Sequence, residues 1–345
     1  MVSGIISAVD LFCGVGGLTH GLIKAGIPVN AGFDSDDSCE YPFKINNNTR
    51  FISADISKIN VKDVARYFPE HHIKILAGCA PCQPFSSYSF RYGKRDRDHR
   101  WSLLSSFERM IRGIKPDIVS MENVPQLEKH KPFADLIRTL DRLHYKYTKK
   151  IIHCESYGVA QKRKRLVLLA SRLGRIELIP ETNEPDNYST VRDAIGHLEK
   201  IEAGECSEMD PIHRSQNLSL LNKKRIIQSV PGGTWRDWDD YLICPCHKKK
   251  TGTTYPAVYG RMSWDEPSPT VTTQFYNYGS GRFGHPEQDR ALSLREGANL
   301  QSFPDDYIFS DPRKPGTFVE IATHIGNAVP VKIGEIIGES IKEHI

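Results

Sequence analysis

Hydrophobic residues in the first 180 positions form short runs, separated by longer segments of mixed character. Seven of these runs are rich in aliphatic residues, at 5–12, 28–34, 50–56, 73–79, 117–124, 147–154 and 164–171. Several of them show no alternation of apolar and polar residues. Strands that are buried on both faces have this pattern. Helical stretches lie between them, at 17–26, 61–69, 102–114 and 132–144. The alternation predicts right-handed crossovers and a doubly wound, mostly parallel α/β sheet.

The pattern changes after this region. Prolines, glycines and aromatic residues become frequent over 186–290, and the apolar runs shorten. Periodicity returns over 291–303, and the chain closes on a segment typical of an amphipathic helix. We therefore predict an α/β domain over 1–185, a smaller irregular domain over 186–290, and a return to the first domain over 291–345.

Composition narrows the class of protein. The chain has 345 residues, of which 39% are hydrophobic and 26% are charged, so a folded globular protein is expected. It has no apolar run of membrane-spanning length and no secretory signal pattern, which predicts a cytoplasmic protein. The eight cysteines are unevenly spaced and are expected to be reduced. A net charge of +4 permits a polyanionic partner without requiring one.

A glycine-rich turn follows the first predicted strand, at Gly14, Gly16 and Gly17. Glycines there allow a tight turn and the close approach of a ligand. The dinucleotide-binding spacing G-x-G-x-x-G fails, because Thr19 stands at the third position. Asp34 and Asp55 end the next two predicted strands, where a carboxylate can meet a ribose or a base. The combination favours a nucleoside ligand over a purely structural turn.

A cysteine held between prolines follows the fourth predicted strand. Cys82 forms a C-x-x-C pair with Cys79, so both a redox pair and a single nucleophile are open. Glu122 ends the next strand, on the same edge of the sheet, and Arg163 and Arg165 would share one face of an extended segment. A redox pair needs neither the acid nor the arginines. The constellation favours a nucleophile at Cys82.

Six motifs occur in one order along nearly the whole chain: "DLFCGVGG", "PCQPFS", "ENV", "QKRKR", "LREGANLQSFPD" and "IGNAVP". In these motifs the sequence resembles the C5-cytosine-specific DNA methyltransferases of bacteria and phages, which use S-adenosylmethionine (SAM). The resemblance implies a Rossmann-like SAM-binding catalytic domain over 1–185 and 291–345. It also implies a target-recognition domain over 186–290, and sequence-specific methylation of double-stranded DNA with S-adenosylhomocysteine as the product.

The resemblance gives each residue of the constellation a role. Cys82 adds to C6 of cytosine, which makes C5 nucleophilic enough to accept a methyl group. Glu122 protonates N3, and Arg165 and Arg163 hold O2 and a nearby phosphate. Cys79 is expected to be a buried residue without a chemical role. Since a paired cytosine cannot reach such a site, the target base must flip out of the duplex.

The resemblance also implies residues around the cofactor and the DNA. Asn123 is expected to brace the nucleophile loop, and Asp34 stands where the family often has a longer glutamate. The residues implied around SAM are Phe12, Gly14, Gly16, Gly17, Leu18, Asp34, Asp55, Ile56, Pro81, Asn327 and Ala328. The segment 86–101 mixes basic and aromatic residues and suits a mobile arm on DNA phosphates. The residues expected to contact DNA are Ser86, Arg91, Arg95, Arg97 and Thr270.

Several alternatives remain open at this point. A tRNA cytosine methyltransferase has the same fold, and an inactive DNA-binding relative is a second alternative. A nicotinamide oxidoreductase is disfavoured by the glycine spacing. Zinc at Cys244, Cys246 and His247 is disfavoured because a second pair of ligands is missing, so no metal is expected. We expect a monomer, and a cognate restriction endonuclease in the same system is a possible partner that the sequence leaves open.

Overall fold

The computed structural model describes residues 5–81 and 101–345, and the side chains of residues 101 and 102 are left undescribed. The strands are β1 (Ile6–Leu11), β2 (Val29–Asp34), β3 (Arg50–Ser53), β4 (Ile73–Gly78), β5 (Ile118–Asn123), β6 (Lys146–His153), β7 (Gln161–Lys162), β8 (Lys164–Ser171) and β9 (Ser268–Pro269). All seven predicted strands are present, and only β3 is clearly shorter than expected. The hydrophobic pattern thus identified the sheet.

The α-helices are α1 (Gly17–Lys24), α2 (Glu40–Asn47), α3 (Val61–Ala65), α4 (Trp101–Ile114), α5 (Lys131–Arg142), α6 (Val191–Ile195), α7 (Leu220–Gln228), α8 (Leu294–Leu300), α9 (Phe318–Asn327) and α10 (Val331–His344). The sequence did not predict α2, which contains Pro42. This proline lies in the first turn, where its missing N–H removes no intrahelical hydrogen bond.

The large sheet has the strand order β3-β2-β1-β4-β5-β8-β6. The first five strands of this order pair in parallel. The chain builds outward from β1 to β3 and then crosses back to β4 on the other side of β1. In such doubly wound sheets, ligands bind at the carboxyl ends of the strands near this reversal. The fold therefore has its binding edge at the ends of β1 and β4.

One strand runs against the others. β8 lies between β5 and β6 and is antiparallel to both. Asn123, the last residue of β5, pairs with Leu166 near the start of β8. The beginning of β8, with Arg165, consequently lies at the same edge as the end of β5. The prediction of a mostly parallel sheet is confirmed, and this reversal adds a cationic side chain to the binding edge.

The core of the sheet is built from its continuous apolar runs. Val9, Leu76 and Val119 on neighbouring strands are fully buried and belong to one hydrophobic cluster, with α4 and α5 packed against it through residues such as Phe107 and Leu136. Both faces of the central strands are covered, which explains why their sequences show no polar alternation. The central strands are therefore a rigid support for the residues that follow them.

The contacts divide the chain into two compact units. The first comprises the described residues of Met1–Tyr157 with Lys164–Thr182 and Ala328–Ile345, and the second comprises Gly158–Arg163 and Asn183–Asn327. The predicted closing segment, 291–345, is thus shared between the units. In the described part of the chain, no helix has both the length and the apolar character needed to cross a membrane.

In the first unit, α10 packs closely against α1. Both helices carry glycines at the contact. A Cβ on Gly21 would lie 2.3 Å from the carbonyl oxygen of Val331, and one on Gly334 would lie 2.8 Å from that of Leu18. The backbones therefore approach more closely than any larger residue allows. Since α1 begins directly after the glycine turn, this packing helps to fix the turn in place.

The second unit has little sheet, and buried polar networks hold its segments. Arg290 is fully buried and makes two hydrogen bonds to Glu296, of 2.7 and 2.8 Å. Although burial opposes ionisation, Arg290 lowers the pKa of Glu296 to about 2. Glu296 also accepts from the backbone N–H of Ser293, which caps α8. Because the unit has few strands, the buried ion pair of Arg290 and Glu296, with its hydrogen bonds satisfied, helps to hold its segments together.

We expect Gly21→Ala to destabilise the protein by about 1–3 kcal/mol, since the added methyl group would overlap backbone atoms of α10. Urea unfolding measures the change. Glu343→Ala, at an exposed position of α10, is the matched control and is expected to shift the free energy of unfolding by less than about 0.5 kcal/mol. Equal stability of Gly21→Ala and the control would show that the close contact between the helices is absent.

Candidate active site

The turn after β1 has an unusual backbone. Phe12, Gly14 and Gly16 have φ angles of 61°, 51° and 96°. These values lie in the left-handed region, which glycine adopts readily and phenylalanine adopts at a cost of order 1–3 kcal/mol. A Cβ on Gly14 would have no heavy atom within 4 Å, so open space adjoins the turn. The turn can accept a ligand against its backbone.

Asp34 holds this turn to the end of β2. Its Oδ2 accepts from the backbone N–H of Gly14 at 2.8 Å, and its Oδ1 accepts from that of Asp36 at 3.0 Å. Burial raises the pKa of Asp34, while these two hydrogen bonds act in the opposite direction. Each carboxylate oxygen can accept more than one hydrogen bond, so Asp34 retains the capacity to bind hydroxyl groups.

A second carboxyl group lies beneath the turn. Asp10, in β1, is fully buried, and its Oδ2 accepts from the Thr19 hydroxyl at 2.7 Å. Its Oδ1 has no hydrogen-bond partner within the described ranges. Burial raises the pKa of Asp10 to about 7, with the Thr19 hydrogen bond opposing the shift and the charge of Asp34 adding to it. Asp10 therefore ties β1 to α1 under the turn.

Asp55 and Ile56 follow β3. The Oδ1 of Asp55 accepts from the backbone N–H and the hydroxyl of Ser57, and its Oδ2 lies 3.0 Å from Lys58 Nζ. The Ser57 and Lys58 contacts lower the pKa of Asp55 to about 2. Ile56 is buried in the sheet core. Asp55 thus stabilises a local turn and Ile56 contributes to the core, in addition to any contact with a ligand.

The nucleophile segment is described as far as Pro81. The backbone N–H of Cys79 donates to Leu11 O at 3.3 Å, and Asn123 Nδ2 donates to Ala80 O at 2.9 Å. Asn123 also accepts from the backbone N–H of Val124 through Oδ1, which fixes its amide. This is the bracing role predicted for Asn123. Cys82, Ser86, Arg91, Arg95 and Arg97 lie outside the described residues.

Glu122 is buried at the end of β5, with 2% of its side chain exposed. Arg165 Nε lies 2.7 Å from Oε1, and the Cys79 thiol donates to Oε2 at 2.9 Å. The guanidinium contact is an ion pair by distance but not a well-directed hydrogen bond. Cys79 is half-buried, which corrects the expectation that this residue is buried. A carboxyl group is thus held beside the chain that leads to Cys82.

Comparisons with known proteins agree with this geometry. The sequence profile of the C-5 cytosine-specific DNA methylase family matches residues 6–343. The chain belongs to this family. It is 49% identical over 343 residues to the protein of Herpetosiphon aurantiacus named Type II methylase M.HgiDII, covering 98% of this chain and 96% of that protein. It is 30% identical to Type II methyltransferase M1.HphI of Haemophilus parahaemolyticus, covering 97% and 86% respectively.

Solved structures show the same fold. A prophage-encoded Escherichia coli protein described as a DNA modification methyltransferase aligns with a TM-score of 0.74 at 20% identity, covering 98% of this chain and 99% of that one. The Dnmt2 methyltransferase of Schizosaccharomyces pombe aligns with a TM-score of 0.63 at 18% identity, covering 98% and 99%. The Rossmann-like methyltransferase fold expected from the sequence is confirmed.

In this methylase, Arg163 is placed differently from Arg165. It belongs to the second unit, where its Nη1 donates to Val271 O at 2.9 Å and to Gln161 Oε1 at 3.4 Å. Thr270 lies nearby and donates to Lys162 O at 2.8 Å, because β7 and β9 pair in parallel. The structure gives Arg163 a buried anchoring role in its own unit, and the placement of the two arginines on one face stays a prediction.

The two C-terminal residues predicted to contact SAM lie where the chain passes from the second unit to the first. Asn327 is exposed and is the last residue of α9 in the second unit, and Ala328 begins the segment that returns to the first. Leu18 is buried in α1.

The zinc alternative placed His247 among metal ligands, but the His247 ring stacks on Trp235, with 4.6 Å between the ring centroids. Burial lowers the pKa of His247, as does the charge of Arg225.

Sequence reasoning missed two residues that shape the methylase site. Asp10 stands inside the apolar run "AVDLF", and a lone acid in a buried strand could have indicated a role. Thr19, taken only as a mismatch to a glycine pattern, is the hydrogen-bond partner of Asp10. Both residues support the turn from the inside.

We expect the contribution of Asp10 to the stability of the methylase to fall as the pH rises from about 4 to about 7. Its pKa is raised from 3.8 to about 7 in the folded protein, so ionisation of Asp10 favours the unfolded chain over this range. Asp10→Asn, which can still accept from Thr19, lacks this loss, so its stability relative to the wild type is expected to rise with pH over this range. Urea unfolding over this pH range measures the effect.

The exposed Asp141→Asn serves as the control for charge removal and is expected to leave the profile unchanged. Parallel profiles for the wild type and Asp10→Asn would mean that Asp10 remains ionised in the folded protein. Each unit of difference between the folded and unfolded pKa corresponds to about 1.4 kcal/mol, so the effect is within the range of the measurement.

Proposed function

We propose that this methylase transfers a methyl group from SAM to C5 of a cytosine flipped out of double-stranded DNA, with Cys82 as the nucleophile and Glu122 as the acid. The observation that carries the proposal is the placement of Glu122. Its carboxyl group lies between Arg165 and the Cys79 thiol, three residues before Cys82, at the carboxyl edge of the sheet. The family membership gives the reaction, and this arrangement suggests how it proceeds.

The proposed steps assign each residue a task. The Cys82 thiolate forms a bond to C6 of cytosine, and Glu122 gives a proton to N3 as negative charge develops on the ring. Arg165 then stabilises the carboxylate that remains on Glu122. C5, now part of an enamine, takes up the methyl group. Loss of the C5 proton to water, departure of Cys82 from C6 and return of the N3 proton to Glu122 restore the aromatic ring, the thiolate and the acid.

The residues of the first unit fit SAM as the cofactor. SAM supplies an electrophilic methyl group on a positively charged sulfur. The open space beside Gly14 admits a ligand against the backbone, and Asp34 presents a carboxylate at the end of β2. Carboxylates in this position of doubly wound folds accept from ribose hydroxyls. Phe12, in its left-handed conformation, borders the same turn.

The relatives named as Type II methylases and methyltransferases favour a modification enzyme of a restriction system. We propose on this basis that a cognate restriction endonuclease accompanies it, and that it acts as a cytoplasmic monomer on DNA. The tRNA alternative is less supported, because the relatives cited above carry the names of Type II enzymes. Tritium transfer from labelled SAM to duplex DNA, with tRNA as the competing substrate, distinguishes the two.

We expect Asp34→Ala to weaken the binding of S-adenosylhomocysteine by roughly 1–3 kcal/mol, because the ribose hydroxyls and Gly14 lose a charged acceptor. Titration calorimetry measures the affinity. Glu40→Ala removes an equal charge at an exposed site, where Glu40 forms an ion pair with Lys44. This control is expected to bind normally, and normal binding by Asp34→Ala as well would exclude Asp34 from the cofactor site.

A duplex with 5-fluorocytosine at the target is expected to trap the enzyme covalently, because fluorine cannot leave C5 as a proton does. The complex should survive denaturing gel electrophoresis, require SAM, and disappear with Cys82→Ala. Glu122→Gln should form it far more slowly, having lost the proton for N3. Cys79→Ser is the matched thiol control and should still form it. Trapping that persists without Cys82 would refute the assignment of the nucleophile.

A further inference from the structure

The side chain of Glu122 is oriented by two groups from different strands. Arg165 approaches Oε1 from β8, and Cys79 approaches Oε2 from the end of β4. Gly78 and Met121 are partners in the parallel pairing of β4 with β5, so Cys79 and Glu122 are the next residues in register. The thiol is therefore brought to the carboxyl group by the sheet itself.

Of the two contacts to the Glu122 carboxyl group, the one from the Cys79 thiol has hydrogen-bond geometry. Sγ lies 2.9 Å from Oε2, and within residues 5–81 and 101–345 it provides the well-formed hydrogen bond to the Glu122 side chain. The guanidinium group supplies charge at 2.7 Å from Oε1 without hydrogen-bond geometry. A charge nearby attracts a carboxylate from many directions, whereas a hydrogen bond selects an orientation. Cys79 is thus placed to set the rotation of the carboxyl plane.

The backbone around Cys79 is itself fixed. Its N–H donates to Leu11 O, and the next carbonyl, of Ala80, accepts from the Asn123 side chain. Asn123 directly follows Glu122. One hydrogen bond therefore runs from the Cys79 side chain to β5, and another runs from the Asn123 side chain back to the segment after β4. A thiol on such a support loses little further freedom when it binds the carboxyl group.

We propose that Cys79 is a positioning residue for Glu122, which orients the carboxyl group so that its acidic oxygen meets N3 of the target cytosine. The proposal rests on the role of Glu122 given above. A thiol suits both states of the reaction, because its S–H can donate to Oε2 both when the acidic proton is on the other oxygen of Glu122 and when the group is a carboxylate. It can keep its contact before and after the proton moves to N3. Alanine offers no such contact, and serine offers it with a shorter reach.

The test is a double-mutant cycle on the rate of a single turnover. The variants are Cys79→Ala, Glu122→Gln and the two combined, each assayed by tritium transfer from labelled SAM to duplex DNA. Cys79→Ala should slow methyl transfer about tenfold, the order expected for one hydrogen bond to a charged group. It should leave the affinity for S-adenosylhomocysteine unchanged. In the Glu122→Gln background the same substitution should have little further effect, since coupled residues are not additive.

Two further measurements separate positioning from packing. Cys79→Ser should recover most of the rate, and Cys79→Ala should change the pH dependence of the single-turnover rate, because it alters the environment of the proton donor. Cys206→Ala, at an exposed cysteine of the second unit, is the matched control and should match the wild type in every assay. A loss caused by packing alone would lower cofactor affinity and would not depend on Glu122.

The outcomes distinguish this inference from the proposed function. A normal rate for Cys79→Ala, together with a slow Glu122→Gln, overturns the role of Cys79 and leaves the acid in place. Losses that add fully in the double variant, or a Cys79→Ser variant as slow as alanine, overturn it as well. A normal rate for Glu122→Gln would instead remove the proposed acid.

Discussion

The shared carboxyl edge of the parallel strands is the constraint on which this site depends. β1, β2, β4 and β5 all run in one direction, so the segments that leave them emerge side by side. The glycine turn and the segment that leads to Cys82 follow β1 and β4, and Asp34 and Glu122 lie at the ends of β2 and β5. Residues far apart in sequence are thereby placed within hydrogen-bond distance without a dedicated loop architecture.

Two buried carboxyl groups at this edge, those of Asp10 and Glu122, have different neighbours. Among the described residues, Asp10 accepts from the Thr19 hydroxyl alone, and burial raises its pKa to about 7. Glu122 is as deeply buried, but it has a guanidinium group and a thiol as neighbours. The first environment favours a neutral group that supports the backbone of the turn. The second gives the carboxyl oxygens of Glu122 a positive charge and a hydrogen-bond donor.

The two units achieve order by different means. The first relies on a continuous apolar core and on close glycine contacts between α1 and α10. The second has few strands and uses buried side-chain networks, such as that of Arg290 and Glu296. Irregular backbone leaves many loops on the surface, and surface loops tolerate changes in sequence. This difference fits the distinct catalytic and recognition roles proposed for the two parts of the methylase.

The sequence by itself determined the seven strands, the family and the candidate acid, since unbroken apolar runs and ordered motifs are local properties of the chain. The sequence could not determine which hydrogen-bond and ion-pair partners the buried polar side chains have. The antiparallel course of β8, which brings Arg165 to Glu122, depends on pairing between distant segments. The contact of Arg163 with Val271 and that of Cys79 with Glu122 depend on strand pairing as well, whereas the Asp10–Thr19 hydrogen bond depends on the position of α1 beside β1. The contacts between strands arise only when the strands are in register, and tertiary structure alone sets that register.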